Sequence, residues 1–147
     1  MKIHSIIKKI SGDLVTPVSI YLKIRDKYRD PLLLESSDYN SSKNSKSFIC
    51  FDPLKSIVIK HNEVIIKTKN NFEKRVATKS LNTEIEMFLK SIETENKNQS
   101  LFGYTSYEAV QLMENIQLKH QSEETEIPLA IYSFYKNTIV INHFNDE

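Results

Sequence analysis

Glycine is nearly missing from this chain, with 2 in 147 residues, alongside 4 prolines and 1 cysteine. A dinucleotide fingerprint or a phosphate-cradling loop needs several glycines, so most nucleotide-enzyme architectures are excluded. The lone Cys50 has no internal disulfide partner, and His4, His61, His120 and His143 lie far apart without metal-site spacing. A disulfide or zinc scaffold is excluded with them. Long apolar runs are lacking too: lysines interrupt the isoleucines of the opening segment Met1-Lys2-Ile3-His4-Ser5-Ile6-Ile7-Lys8-Lys9, which is too short for a signal peptide or a spanning helix. A cytoplasmic protein with no membrane partner is expected. Neither charge dominates, since Lys+Arg total 20 and Asp+Glu 19, so no long-range field draws nucleic acid.

What remains is ordinary material for one soluble domain over residues 1–147, with 39% hydrophobic and 27% charged residues. Residues 2–10 read as a strand. Thr16-Pro17 has the form of an N-cap followed by proline at the first helical position, and Ile20, Tyr21, Ile24 and Tyr28 recur at helical spacing until Asp30-Pro31. Leu32-Leu33-Leu34, apolar at every position, reads as a central strand covered on both faces. A polar loop over 38–45 leads to the apolar strand Phe48-Ile49-Cys50-Phe51, closed by Asp52-Pro53.

A hairpin is predicted from 56–60 and 64–68 around His61-Asn62-Glu63, with Asn62 in the left-handed position. Leu81, Ile85, Phe88, Leu89 and Ile92 form the stripe of a helix packed on one side, capped by Asn82 or Thr83. After a charged connection over 93–100, Leu101 to Tyr104 form a short strand. A helix begun at Ser106 carries Tyr107, Val110, Met113 and Ile116. Residues 117–126 read as solvated loop, and 129–135 with 138–144 as a closing hairpin across Lys136-Asn137. This mixed order predicts an α+β class, a layered α/β sandwich with a largely antiparallel sheet and flanking helices.

No acid/base or nucleophilic constellation assembles, because the acidic residues fall mostly in polar loops and on helix faces. Cys50, between Phe48 and Phe51, reads as a buried structural thiol. One place stands out. At Leu34-Glu35-Ser36-Ser37 an anion and hydroxyls emerge from an apolar strand, and Lys46 opens the next, so opposite charges would meet at one strand end. Such a corner offers an acceptor for an ammonium, donors for a carboxylate and apolar walls, which is how a free amino acid is held. A structural Glu–Lys pair with serine as turn former satisfies the same spacing, and spacing alone leaves both open.

Several segments together resemble the N-terminal domain of anthranilate synthase component I, of the chorismate-utilising enzymes. They are Thr16-Pro17-Val18 with Tyr21-Leu22-Lys23, then Leu32-Leu33-Leu34-Glu35-Ser36-Ser37, then Ser47-Phe48-Ile49-Cys50-Phe51-Asp52-Pro53. Leu101-Phe102-Gly103-Tyr104-Thr105-Ser106-Tyr107-Glu108 and the tyrosine- and phenylalanine-rich end of the chain complete the series. The resemblance implies that Leu34, Glu35, Ser36, Lys46 and Pro17 contact L-tryptophan, the feedback inhibitor. It further implies that the full-length enzyme, a lyase, converts chorismate and ammonia to anthranilate and pyruvate with Mg²⁺. Its partners would be its own C-terminal catalytic domain and a glutamine amidotransferase component II that supplies the ammonia. The chorismate and Mg²⁺ motifs of that catalytic domain are not in these 147 residues, so this segment is expected to be a regulatory and structural piece, without a cofactor and not catalytically competent alone. The related aminodeoxychorismate synthase component I is the alternative enzyme, and a stand-alone interaction module the alternative of another class.

Overall fold

The structure, a computed structural model, describes residues 2–12, 14–35, 45–78, 80–94, 100–116, 118 and 127–143. In chain order the elements are β1 (Lys2–Ile3), α1 (Pro17–Ile24), β2 (Leu32–Glu35), β3 (Lys46–Ile59), β4 (Glu63–Thr68) and β5 (Phe72–Val76). Then follow α2 (Leu81–Lys90), β6 (Glu93–Thr94), β7 (Phe102–Thr105), a short 3-10 helix (Tyr107–Leu112) and β8 (Ala130–Asn142). Six strands make one sheet in the order β5-β4-β3-β8-β7, with β2 also paired to β3, while β1 and β6 form a small parallel pair. The pairings β2–β3, β3–β4, β4–β5 and β7–β8 are antiparallel, as the α+β reading requires. Among the described residues no helix is long and apolar enough to cross a membrane.

The chain divides into two compact units, Met1–Ser5 with Lys55–Phe134 and Ile6–Leu54 with Tyr135–Glu147. In the first, register sets the core: Ile57 faces Ile66 and Ile59 faces Val64, so the period of two sends all four to one side of the β3–β4 ladder. Leu81 and Phe88 of α2, Ala109 of the 3-10 helix, and Leu129 and Ala130 at the start of β8 pack with them, all 2% exposed or less. The α2 stripe holds at Leu81, Ile85 and Phe88, Ile92 packs on the core from beyond the helix end at Lys90, Leu89 is half exposed, and the buried position one turn in from Leu81 is Glu84. The N-cap is Ser80 rather than Asn82 or Thr83, since its hydroxyl accepts from the Thr83 N–H at 3.4 Å.

The β3–β4 hairpin forms where it was expected, with Lys60 N–H donating to the Glu63 carbonyl at 2.9 Å. Asn62 is not left-handed, however; among the described non-glycine residues only Asp30 and Asp52 have positive φ. Strand β5 has no counterpart in the expectations, because charge alternates along Phe-Glu-Lys-Arg-Val without an apolar stripe. Its Arg75 is instead held by the buried Glu84.

In the second unit α1 starts as predicted. Thr16 and Ser19 form a reciprocal capping box, each side-chain oxygen accepting from the other's backbone N–H at 3.1 Å, with Pro17 following the cap. The helix ends at Ile24, a turn before Tyr28, whose ring instead meets Phe51 at 4.6 Å between centroids.

Five further expectations are corrected. First, β2 pairs only with β3 among the described residues and is an edge, with Leu34 37% exposed, rather than a doubly covered central strand. Second, Asp52-Pro53 does not close β3. Asp52 takes φ 56°, its N–H donates to the Arg29 carbonyl at 2.9 Å, and the strand continues across the kind of left-handed bulge in which sheets tolerate proline. Third, residues 129–144 are not a hairpin, because β8 runs through Lys136-Asn137 unbroken and half-buried and exposed positions keep alternating there. Fourth, the opening strand stops at Ile3, and Ile6, Ile7 and Ile10 beyond it are 97%, 71% and 68% exposed. Fifth, the helix expected from Ser106 is only a 3-10 turn. The Ser106 hydroxyl does not cap it and is buried without a hydrogen-bond partner among the described residues, and Met113 and Ile116 are exposed.

Candidate functional site

The end of the β2–β3 ladder carries the sequence-predicted residues. Leu34 pairs with Phe48 and Glu35 with Ser47. Residues opposite one another in an antiparallel pair share a face and neighbours along a strand alternate, so Glu35 lies on the face of Ser47 while Lys46 lies on the other, with Phe48 and Leu34. The expected meeting of opposite charges therefore does not form. Both side chains are exposed, and among the described residues no ion pair joins them. The inward-turning register, set by Leu33 and Ile49 on Glu35's face, is what separates them: a lysine one residue earlier than the carboxylate's partner has to point the other way.

What Glu35's face holds instead is a link no local spacing could reveal. Ser47 is fully buried, and its hydroxyl lies 2.7 Å from Nε2 of His143, 96 residues away in the chain. The His143 N–H donates to the Ser45 carbonyl at 3.1 Å, fixing the end of β8 beside the start of β3. Pro17 is half-buried at the first position of α1, which lies against β2. Ser36, with the loop over 38–44, lies outside the described residues, as do 95–99 of the charged connection, His120 and 119–126 of the later loop, and Phe144. Chemically the strand end presents one solvated carboxylate, an exposed leucine and a serine–histidine hydrogen bond whose serine is closed to solvent. That suits holding a cation or an ammonium group and does not suit nucleophilic catalysis by Ser47.

The remaining ionisable groups serve elsewhere. Cys50 is fully buried, and burial pushes its thiol up to about 11, a hydrogen bond with Thr138 offsetting this in part. Nε2 of His61 lies 3.8 Å from the Glu108 carboxylate, beside a depression of about 230 Å³ lined by Lys60, Asn62, Ile127 and Leu129. Among the described residues no three His, Cys, Asp or Glu side chains are placed to hold a metal ion.

No family model matches the chain. It is 24% identical over 152 aligned residues to anthranilate synthase component 1 of Lactococcus lactis subsp. lactis (strain IL1403), a match that covers 96% of this chain and 30% of that protein. The chain thus spans less than a third of the length of this relative. What the similarity supports is a distant relation between the whole of this chain and part of an anthranilate synthase large component.

Proposed function

We propose that this chain is the N-terminal, regulatory portion of an anthranilate synthase-like large subunit, and that the end of β2 contributes its share of a site for L-tryptophan. The observation that carries the reading is similarity along 96% of the chain, in a protein whose fold is the expected α+β type. The full-length protein would turn chorismate and ammonia into anthranilate and pyruvate, with Mg²⁺ bound in the catalytic portion and ammonia supplied by a glutamine amidotransferase. The chemistry proposed for the residues of this chain uses no metal.

Within that reading Glu35 accepts from the ligand's ammonium and Ser36 follows directly in sequence as a further polar contact, while Leu34, on the opposite face with Phe48, supplies apolar wall only around the strand's end. Lys46 reaches the ligand only from the opposite face of the ladder, so its contribution is charge at a distance and aliphatic packing rather than a direct pair with Glu35. Pro17, fixing the start of the helix beside β2, holds the wall in place. Tryptophan lowers activity by binding one arrangement of the regulatory and catalytic portions better than another, and the loss is limited by that difference in affinity.

The test uses the longest natural reading frame. Anthranilate formation from chorismate is followed by fluorescence with and without tryptophan, in the wild type, Glu35→Ala and Ser36→Leu. Both variants should keep their uninhibited rate, and their half-inhibiting tryptophan concentration should rise by about tenfold or more, the loss of one charge-assisted bond. Inhibition unchanged in both variants would remove the assignment, and a 4-amino product in place of the 2-amino one would move the protein to the sister enzyme.

A further inference from the structure

The β4–β5 hairpin carries a surface unrelated to the end of β2. Among the described residues strand β5 pairs with β4 alone, and on its outer edge the Val76 carbonyl accepts from Nη1 of Arg75 at 3.4 Å, while no strand lies there beside Phe72 and Lys74. Register puts Lys67 opposite Phe72, Ile65 opposite Lys74 and Glu63 opposite Val76, and all six share one face. The other face is already occupied: Val64 and Ile66 belong to the core, and Arg75 is held by Glu84.

On the outer face Phe72 and Val76 are 70% and 81% exposed, which is unusual for an aromatic and a β-branched residue in a regular strand. A depression of about 350 Å³ lies between Ile65, Lys67, Lys69, Phe72 and Lys74. Lys67 and Lys69 have no carboxylate partner among the described residues. Lys74, at 3.7 Å, shares Glu63 with Lys60, at 3.1 Å. Cationic charge is therefore in local excess around an exposed ring on an open strand edge.

We infer that this edge docks an extended acidic segment of a partner protein, which adds as a strand beside β5. Its carboxylates would meet Lys67, Lys69 and Lys74, and its alternate apolar side chains would cover Phe72 and Val76. Strand addition draws affinity from backbone hydrogen bonds and specificity from every second side chain, and because Phe72, Lys74 and Val76 share one face they match a segment whose every second residue runs apolar, acidic, apolar. A nucleic acid fits less well: Glu63 interrupts the basic track on this face, and the chain's net charge is only +1. The inference does not depend on the tryptophan reading and stands if that reading fails.

The probe is a fluorescein-labelled octapeptide, Val-Ser-Glu-Ser-Val-Ser-Glu-Ser, which as a strand carries valine and glutamate in turn along one face, titrated with the whole chain and read by anisotropy. A lysine–valine octapeptide and an oligothymidylate serve as comparisons. Saturable binding of the acidic peptide alone is expected, weakening by about tenfold when salt is raised to roughly 0.3 M. Amides of residues 72–76 should become protected from hydrogen exchange on binding. The double variant K67E/K69E, its fold checked by circular dichroism and thermal midpoint, should bind at least about tenfold more weakly. Absence of binding at millimolar peptide, binding by K67E/K69E equal to wild type, no protection in β5, or tighter binding of the oligothymidylate would each overturn the inference.

Discussion

A methyl group on Gly103 would sit 1.8 Å from the carbonyl oxygen of Ile131 and 2.9 Å from Cα of Tyr132, its partner across the β7–β8 ladder. These are backbone atoms and cannot swing aside, so the position requires glycine for close approach rather than for an unusual φ. Gly103→Ala should therefore cost about 3 kcal/mol or more, the upper range for overpacking, seen as a lower urea midpoint with an unchanged slope. A midpoint within error of wild type would show that β7 can shift freely. Asp30 and Asp52 make the complementary case, at φ 43° and 56°, where a short polar side chain tolerates the left-handed region. Asp52 is further fixed by accepting from the Arg29 N–H at 3.3 Å. Both precede prolines, but only Asp52-Pro53, which reads as a strand terminator, is a bend within a continuing strand; Asp30-Pro31 lies between α1 and β2.

Helix α2 and strand β5 are tied by one buried carboxylate. Glu84 is fully buried; it accepts from both terminal nitrogens of Arg75, one at 3.0 Å, and from the Thr78 N–H at 2.6 Å. Burial alone would raise its pKa, but the bonds from Arg75 and Thr78 outweigh it and hold the carboxyl below its ordinary value of 4.5. A group lowered in the folded state stabilises fully above the unfolded value and loses that contribution as pH falls through the folded one. Glu84→Gln should thus flatten the fall in stability below about pH 5, measured by urea unfolding across the acid range. Glu84→Ala, which strands Arg75, should cost about 3 kcal/mol at neutral pH. An acid limb of the same steepness in Glu84→Gln would place the sensitivity elsewhere.

The same elements show what could be read in advance. Helix α1 was legible because Thr16-Pro17 is a local signal, and α2 because Leu81, Ile85, Phe88 and Ile92 repeat at the helical period. Strand β5 was not, since what holds it is Arg75 against a glutamate in another element. Strand β8 was misread because an exposed Lys136 inside a long strand looks the same in sequence as a turn. At the candidate site Glu35 and the strand bearing it were legible, whereas the side on which Lys46 falls depends on a register that no single strand contains. The bond between Ser47 and His143 depends on tertiary folding in the same way.

For the molecule as a whole, the lone thiol reports folding. Cys50 is 0% exposed and its thiol titrates at about 11. At pH 8 only about one molecule in a thousand would carry the thiolate, against about one in four for an ordinary cysteine. Ellman's reagent should accordingly leave the folded protein unmodified and react fully in denaturant, the rate in between following the opening of β3. Prompt reaction in plain buffer would mean that this part of the sheet opens readily. Elsewhere on the surface, exposed aliphatic side chains such as Ile6 and Leu14, at 97% and 98%, stand beside a nearly balanced charge. Because the native thiol is sealed, a second cysteine introduced at an open position such as Tyr107 would take up a maleimide dye by itself. Fluorescence ruler experiments on this chain can then begin from the natural sequence, with no preliminary thiol removal.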